Sequence, residues 1–200
     1  MKTEQINELL YQALETEIGG QQVYETAIRC ADKPDLRDEW EKYLNETRNH
    51  ERIVLDVFEK LALDPATETT GRHVVRHLGR SLVEAMEMAL QAGQPTAQIV
   101  AAECVVLAET KDHANWELIG QVAEELNGAK QRALREAFGE VEEQEDEHLF
   151  HTKGWARELW IESLGMPAVL PPPEEQKDVT TAIGAARAEQ SREKLLRGTS

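Results

Sequence analysis

Four stretches of this chain carry apolar residues at every third or fourth position, and each stripe is interrupted near its middle by an acid or a histidine. The first runs Leu10, Leu14, Glu17, Gln21, Tyr24, Ile28. The second runs Trp40, Tyr43, Thr47, His50, Val54, Val57, Leu61, with Glu46 one residue off it. The third runs Ile99, Ala102, Val106, Glu109, His113, Trp116, Gly120. The fourth runs Leu134, Phe138, Val141, Glu145, His148, Thr152, Trp155, Leu159. Spacing of three and four puts such residues on one face of a helix. Four long amphipathic helices bury those faces most simply against one another, as a bundle. A charge inside the bundle is costly unless it is paired or bound to a cation. The interruptions therefore constrain chemistry as well as fold.

Breaker residues set the boundaries. Helices are predicted over about 3–31, 35–63, 72–92, 96–126 and 130–164. The breaks fall at ADKPD (31–35), Asp64-Pro65, AGQP (92–95), Asn127-Gly128 and Gly165-Met166-Pro167, where proline cannot continue a helix and glycine ends one. No strand signal of useful length is present. The expected architecture is all-α: a four-helix bundle over 1–166, made of two antiparallel hairpins joined by a crossover that contains the extra helix. That crossover helix carries Val75, Leu78, Leu82, Met86 and Leu90 at helical spacing, with His73, His77, Arg72, Arg76 and Arg80 expected as a mixed surface. Residues 167–200 read as a proline-rich linker and a tail with a possible short helix (AARAEQSREKLL). The tail is either a free terminus or a segment that docks a protein partner.

The chain carries 22 basic and 38 acidic residues, a net charge of −16. Such a balance repels nucleic-acid phosphates and anionic lipid, so neither is an expected partner. No apolar run approaches the roughly 20 residues that span a bilayer, and MKTEQINELL lacks the apolar core of a signal peptide. The two cysteines, Cys30 and Cys104, are far apart and form no CxxC pair. They suit a reducing compartment and exclude a four-thiolate metal appendage. The cytoplasm is the expected location.

The interruptions share a height. In an antiparallel hairpin, residues equidistant from the turn lie side by side. The midpoint of 17 and 48 (the centre of 46–50) is 32.5, inside ADKPD, and the midpoint of 109 and 146.5 (the centre of 145–148) is 127.75, at Asn127-Gly128. Each hairpin thus sets a lone Glu level with a Glu/His pair. Helices 1 and 3 also repeat one pattern, Glu17-Gln21-Tyr24 against Glu109-His113-Trp116. Glu17, Glu46, Glu109 and Glu145 with His50 and His148 form a set of four carboxylates and two imidazoles. Such a set suits two first-row metal ions, iron first and manganese second, with metal ions and a small oxidant as partners. His113 reads as a seventh ligand, a group that orients a ligand, or a neutral core histidine. Glu147 with His151 offers an alternative register in helix 4.

At these residues the chain resembles the ferritin-like superfamily of di-iron carboxylate bundles. Glu17 with Tyr24 seven residues on is similar to the first-helix motif of rubrerythrins. Glu145-Asp-Glu-His148 looks like the ExxH motif of the fourth helix. NETRNHERIVLDVFEKLALDP (45–65) and LAETKDHANWELI (107–119) resemble the second and third helices of a bacterial stress-associated ferritin-like family. An ExxH in helix 2 needs Glu at position 47, where Thr47 stands. The resemblance covers residues 5–165 and implies a dinuclear site, a homodimer, and oxidoreductase chemistry of the ferroxidase or peroxidase type on ferrous iron, peroxide or dioxygen. The alternative is a non-catalytic metal-binding protein, or a structural, partner-binding bundle with a degenerate site. A structural core would balance its acids with lysine or arginine, and no basic residue lies on the four inward stripes.

Overall fold

The computed structural model describes residues 2–167. Nearly all of the anticipated linker and tail, including the AARAEQSREKLL segment, lies outside the described residues. Five helices follow in order: α1 (Thr3–Cys30), α2 (Pro34–Leu61), α3 (Thr70–Ala92), α4 (Thr96–Glu125) and α5 (Gly128–Ser163). Their ends agree with the breakers to within two residues, and no strand occurs among the described residues.

Local chemistry accounts for the ends. Pro34 occupies the first turn of α2, where its missing N–H removes a donor that has no intrahelical partner anyway. Beyond α2, Ala62 turns left-handed with φ of 53°, and the N–H groups of Ala62 and Leu63 bond back to the carbonyls of Glu59 and Phe58. The Thr69 side chain caps α3 by accepting the Arg72 N–H at 3.1 Å. Gly128 takes φ of 76° in the turn between α4 and α5.

Packing is four-cornered. The pair α1 and α2 and the pair α4 and α5 form hairpins, and the hairpins meet through α1 against α4 and α2 against α5. The diagonal pairs, α1 with α5 and α2 with α4, make no close backbone approach. The crossover helix α3 lies over α1 and α4. Gly120 lets α4 and α5 close up, since a Cβ there would stand 2.8 Å from the Phe138 ring.

The apolar faces build two cores instead of one. The upper core, at the α1–α2 turn end, gathers Tyr24, Cys30, Leu36, Trp40, Tyr43 and Leu159, with Met86 from α3. The lower core gathers Leu10, Leu14, Val54, Phe58, Trp116 and Leu134. Between them lies a layer of buried polar side chains: Glu17, Thr47, His50, Glu109, Asp112, Glu145 and His148.

Two expectations are corrected. Arg72 does not belong to a mixed surface but is buried against Glu15 of α1. Its Nε donates to Glu15 Oε2 at 3.0 Å, and its Nη1 donates to the carbonyls of Pro65 and Thr67 at 2.6 and 2.8 Å. Arg76 reaches the other oxygen of Glu15 at 2.6 Å. The two arginines hold the Glu15 pKa below its ordinary value, although burial alone would raise it. Leu78, drawn on the apolar stripe of α3, is 54% exposed, because only part of that face finds a helix to cover it.

Candidate metal centre

The polar layer is built by one turn from each of four helices. α1 contributes Glu17, set between Leu14 and Tyr24 on the buried stripe. α2 contributes His50, α4 contributes Glu109 and Asp112, and α5 contributes Glu145 and His148 at i, i+3 on one face. Five of the seven residues expected from the sequence converge. Glu17, His50 and Glu145 form one group, and Glu109, Glu145 and His148 form a second; within each, one donor atom per residue lies within 4.8 Å of the others. Glu145 belongs to both groups.

Each histidine is held from behind. His50 donates from Nε2 to the Gln144 side-chain oxygen at 2.7 Å. This fixes the proton on the outer nitrogen and leaves Nδ1 facing inward. That Nδ1 lies 2.9 Å from Glu145 Oε1 and 3.9 Å from Glu17 Oε2, without the alignment of a hydrogen bond. His148 has its Nε2 on Glu46 Oε2 at 2.9 Å. Its Nδ1 faces Glu109 Oε2 at 3.6 Å and Glu145 Oε1 at 3.8 Å. The two rings stack with centroids 5.6 Å apart, and Tyr43 packs on His148 at 4.2 Å.

The carboxylates are fixed as firmly. Glu17 Oε1 accepts the Trp116 indole N–H at 2.8 Å, which leaves Oε2 without a partner. One oxygen of Glu109, one of Asp112 and both of Glu145 also lack hydrogen-bond partners. Among the described residues, the ion pairs of Glu17, Glu109 and Glu145 go to the two histidines and to no lysine or arginine, and Asp112 forms none.

The electrostatics follow from that crowding. Burial, then the charges of Asp112 and Glu145, push Glu17 well above the usual carboxylate range. Burial and the neighbouring Glu145 and Glu109 do the same to Asp112. Burial and the Glu109 charge push Glu145 up to about 8. Burial pulls His148 down, but the facing carboxylates of Glu109 and Glu46 outweigh it and push the ring up to about 10. Burial dominates at His50, which falls below its ordinary value. Protein groups alone leave this layer under-satisfied. A divalent cation would meet oxygen and imidazole donors that give up their protons to it, so the donor set fits a first-row metal.

The other two expected residues stand outside the convergence. Glu46, with its side chain 19% exposed, lies behind His148 and 3.8 Å from Lys42 Nζ. Burial would raise its pKa, but His148 and Lys42 hold it low. His113, 11% exposed, places Nε2 on Asp146 at 2.6 Å, and that bond raises its pKa. Gln21, its counterpart in the internal repeat, likewise donates to Glu51 of the next helix at 2.6 Å. The alternative register of helix 4 points outward: Glu147 pairs with Lys42 at 2.8 Å, and His151 is 54% exposed. Asp112 was missed. Its signal was present, since it sits at i, i+3 from Glu109, but the stripe as drawn took the i+4 residue, His113.

No helix among the described residues is long and apolar enough to cross a membrane. Both cysteines are buried and free. In comparisons with known proteins the chain matches no family model, no curated protein and no solved structure.

Proposed function

We propose that this chain is a ferritin-like bundle whose polar layer holds two first-row divalent metal ions, iron in the first instance and manganese as the alternative. We further propose that it works as an oxidoreductase of the ferroxidase or peroxidase type. The observation that carries the reading is the pair of buried donor groups sharing Glu145, each with a histidine Nδ1 facing inward and carboxylate oxygens that lack partners. Glu17, His50 and Glu145 would hold one ion, and Glu109, Glu145 and His148 the other. Glu46 and Gln144 would act through the outer nitrogens of the two rings, fixing tautomer and direction. His113 falls to a structural role on Asp146.

A bound redox-active pair of this kind supplies one-electron steps toward ferrous iron, peroxide or dioxygen. The chain's own part is to fix and to shield. Trp116 orients Glu17, the two apolar cores exclude water from above and below, and Tyr24 stands buried beside Glu109 with no aligned hydrogen-bond partner. The reading places the protein in a reducing cytoplasm, with a homodimer as its assembly and a protein partner for residues 167–200.

A second reading has one specific observation behind it. Thr47 is buried where the paired acid of α2 is expected, and its hydroxyl bonds only to its own backbone, at Tyr43 O, at 2.9 Å. A bundle lacking that acid would bind metal without turnover. The deciding experiment is elemental analysis of protein purified without chelator, repeated after anaerobic ferrous loading. About two ions per chain, with oxidant consumption on exposure to dioxygen or peroxide, is the expected outcome. Glu17→Ala and Glu109→Ala should each lower metal content sharply and leave helical circular dichroism unchanged. Full metal content in both variants would refute the site.

A further inference from the structure

The internal repeat accounts for the missing acid. Glu109, His113 and Trp116 follow Glu17, Gln21 and Tyr24 by 92 positions, and the same step carries Gly20 to Asp112. In the other two helices a step of 98 carries His50 to His148 and Thr47 to Glu145. In the first half of the repeat, Gly20 and Thr47 meet as two small residues; a Cβ on Gly20 would lie 3.3 Å from Thr47 Cγ2. That corner supplies no carboxylate. In the second half the corresponding residues are Asp112 and Glu145, which supply two.

We propose that Asp112 is the fourth carboxylate ligand of the metal centre, delivering from α4 the charge and oxygen donor that Thr47 withholds on α2. This rests on the di-metal reading above and adds a ligand to it. Asp112 is 4% exposed, lies one helical turn from Glu109 and leaves Oδ1 without a hydrogen-bond partner. It forms no ion pair with a lysine or arginine among the described residues. Of the charges around Glu17, that of Asp112 bears on it most strongly, and Asp112 feels Glu145 and Glu109 in turn. An acid kept dry among three other acids, with no lysine or arginine paired to it, either keeps its proton or gives it up to a bound cation. With Asp112 counted, the layer again holds four carboxylates and two imidazoles, enough to offset two divalent ions. The carboxylates are no longer spread evenly over the helices: α2 gives only His50, and α4 gives two acids. Glu145 is then the one carboxylate common to both donor groups.

The test is an anaerobic Mn(II) titration of the full-length chain, with free ion read by electron paramagnetic resonance, on wild type, D112N, D112E and the double variant D112N/T47E. Loss of a group that only orients a ligand costs about 10–100-fold in affinity, so loss of a ligand should cost roughly 100-fold or more. D112N is expected to keep one ion at wild-type affinity and to lose the second by that factor. D112E should keep both, and T47E placed in the D112N background should recover the second. Metal-free D112N should melt no lower than metal-free wild type, because an amide of the same shape replaces a buried acid whose Oδ1 has no hydrogen-bond partner and which is crowded by other acids; a merely structural Asp112 would lower the melting point. Wild-type affinity for both ions in D112N would overturn this role and leave the two-metal reading standing. No recovery in D112N/T47E would overturn the exchange between the two positions. Wild type binding no Mn(II) and no Fe(II) would overturn the reading itself and this inference with it. Should D112N fail to fold, D112S carries the same comparison.

Discussion

A histidine binds a cation only through the nitrogen that carries no proton, so the outer partners of His50 and His148 decide whether the inner nitrogens are available. Gln144 at 2.7 Å and Glu46 at 2.9 Å are those partners. Gln144→Leu should weaken the ion proposed at Glu17, His50 and Glu145, and Glu46→Ala the ion proposed at Glu109, Glu145 and His148, each by about 10–100-fold. Isothermal titration with Mn(II) at fixed pH measures both. Unchanged affinity in either variant would show that the ring is oriented by packing alone. Glu17, His50, Glu109, Glu145 and His148 were legible in the sequence because each breaks an apolar stripe at a shared height. Gln144 was not, since a glutamine on an acid-rich helix carries no pattern of its own. Asp112 was hidden by geometry: α4 touches α1, α3 and α5, so its buried arc is wider than one stripe and takes in the i+3 neighbour of Glu109, while the i+4 neighbour lies at its edge.

Among the helices, α3 depends most on a polar contact. α1, α2, α4 and α5 bury long apolar stripes in two cores, whereas α3 contributes Val75, Met86 and Ala89 and leaves Leu78 and Val74 half exposed. What fixes its N-terminal end is the Glu15–Arg72 pair, 2.9 Å apart and almost fully buried, reinforced by Arg76 and by the Pro65 and Thr67 carbonyls. Removing one partner of a buried pair costs about 3–5 kcal/mol. Arg76 still holds Glu15 in Arg72→Ala, so the expected loss is about 2–3 kcal/mol. Urea denaturation should show it as a lower midpoint, with helical content retained at zero denaturant. A change below about 0.5 kcal/mol would place the pair among contacts worth no more than a surface bridge. The contrast explains what could be read at this scale. Helix ends follow from proline, glycine and capping residues, which act locally, so they were legible to within two residues. Burial of Arg72 depends on Glu15, 57 residues away, and no spacing rule links them.

At the scale of the whole molecule, the polar layer is a stability cost whose size depends on protons. Burial and the Glu109 charge lift Glu145 from an ordinary 4.5 to about 8, and facing carboxylates lift His148 from 6.5 to about 10. Both folded-state values lie above the unfolded ones, so between them the native state binds more protons than the unfolded chain. Stability then falls as pH rises. The Glu145 contribution is complete below about 4.5 and gone above about 8; the His148 contribution is complete below 6.5 and gone above about 10. Glu17 and Asp112, both raised by burial and mutual charge, act in the same direction, and the net charge of −16 adds repulsion of the same sign. His50, pulled below its ordinary 6.5, acts in the opposite direction only below that pH, so metal-free protein should melt at progressively lower temperature from pH 7 to pH 9. Divalent cation reverses the slope: ligands must shed protons to bind it, so affinity grows with pH, and a ligand at 100 times its Kd adds about 2.7 kcal/mol. Differential scanning fluorimetry across that range, with chelator in one series and Mn(II) in the other, should give curves that diverge as pH rises. Parallel curves would mean that the buried acids are not what the cation meets.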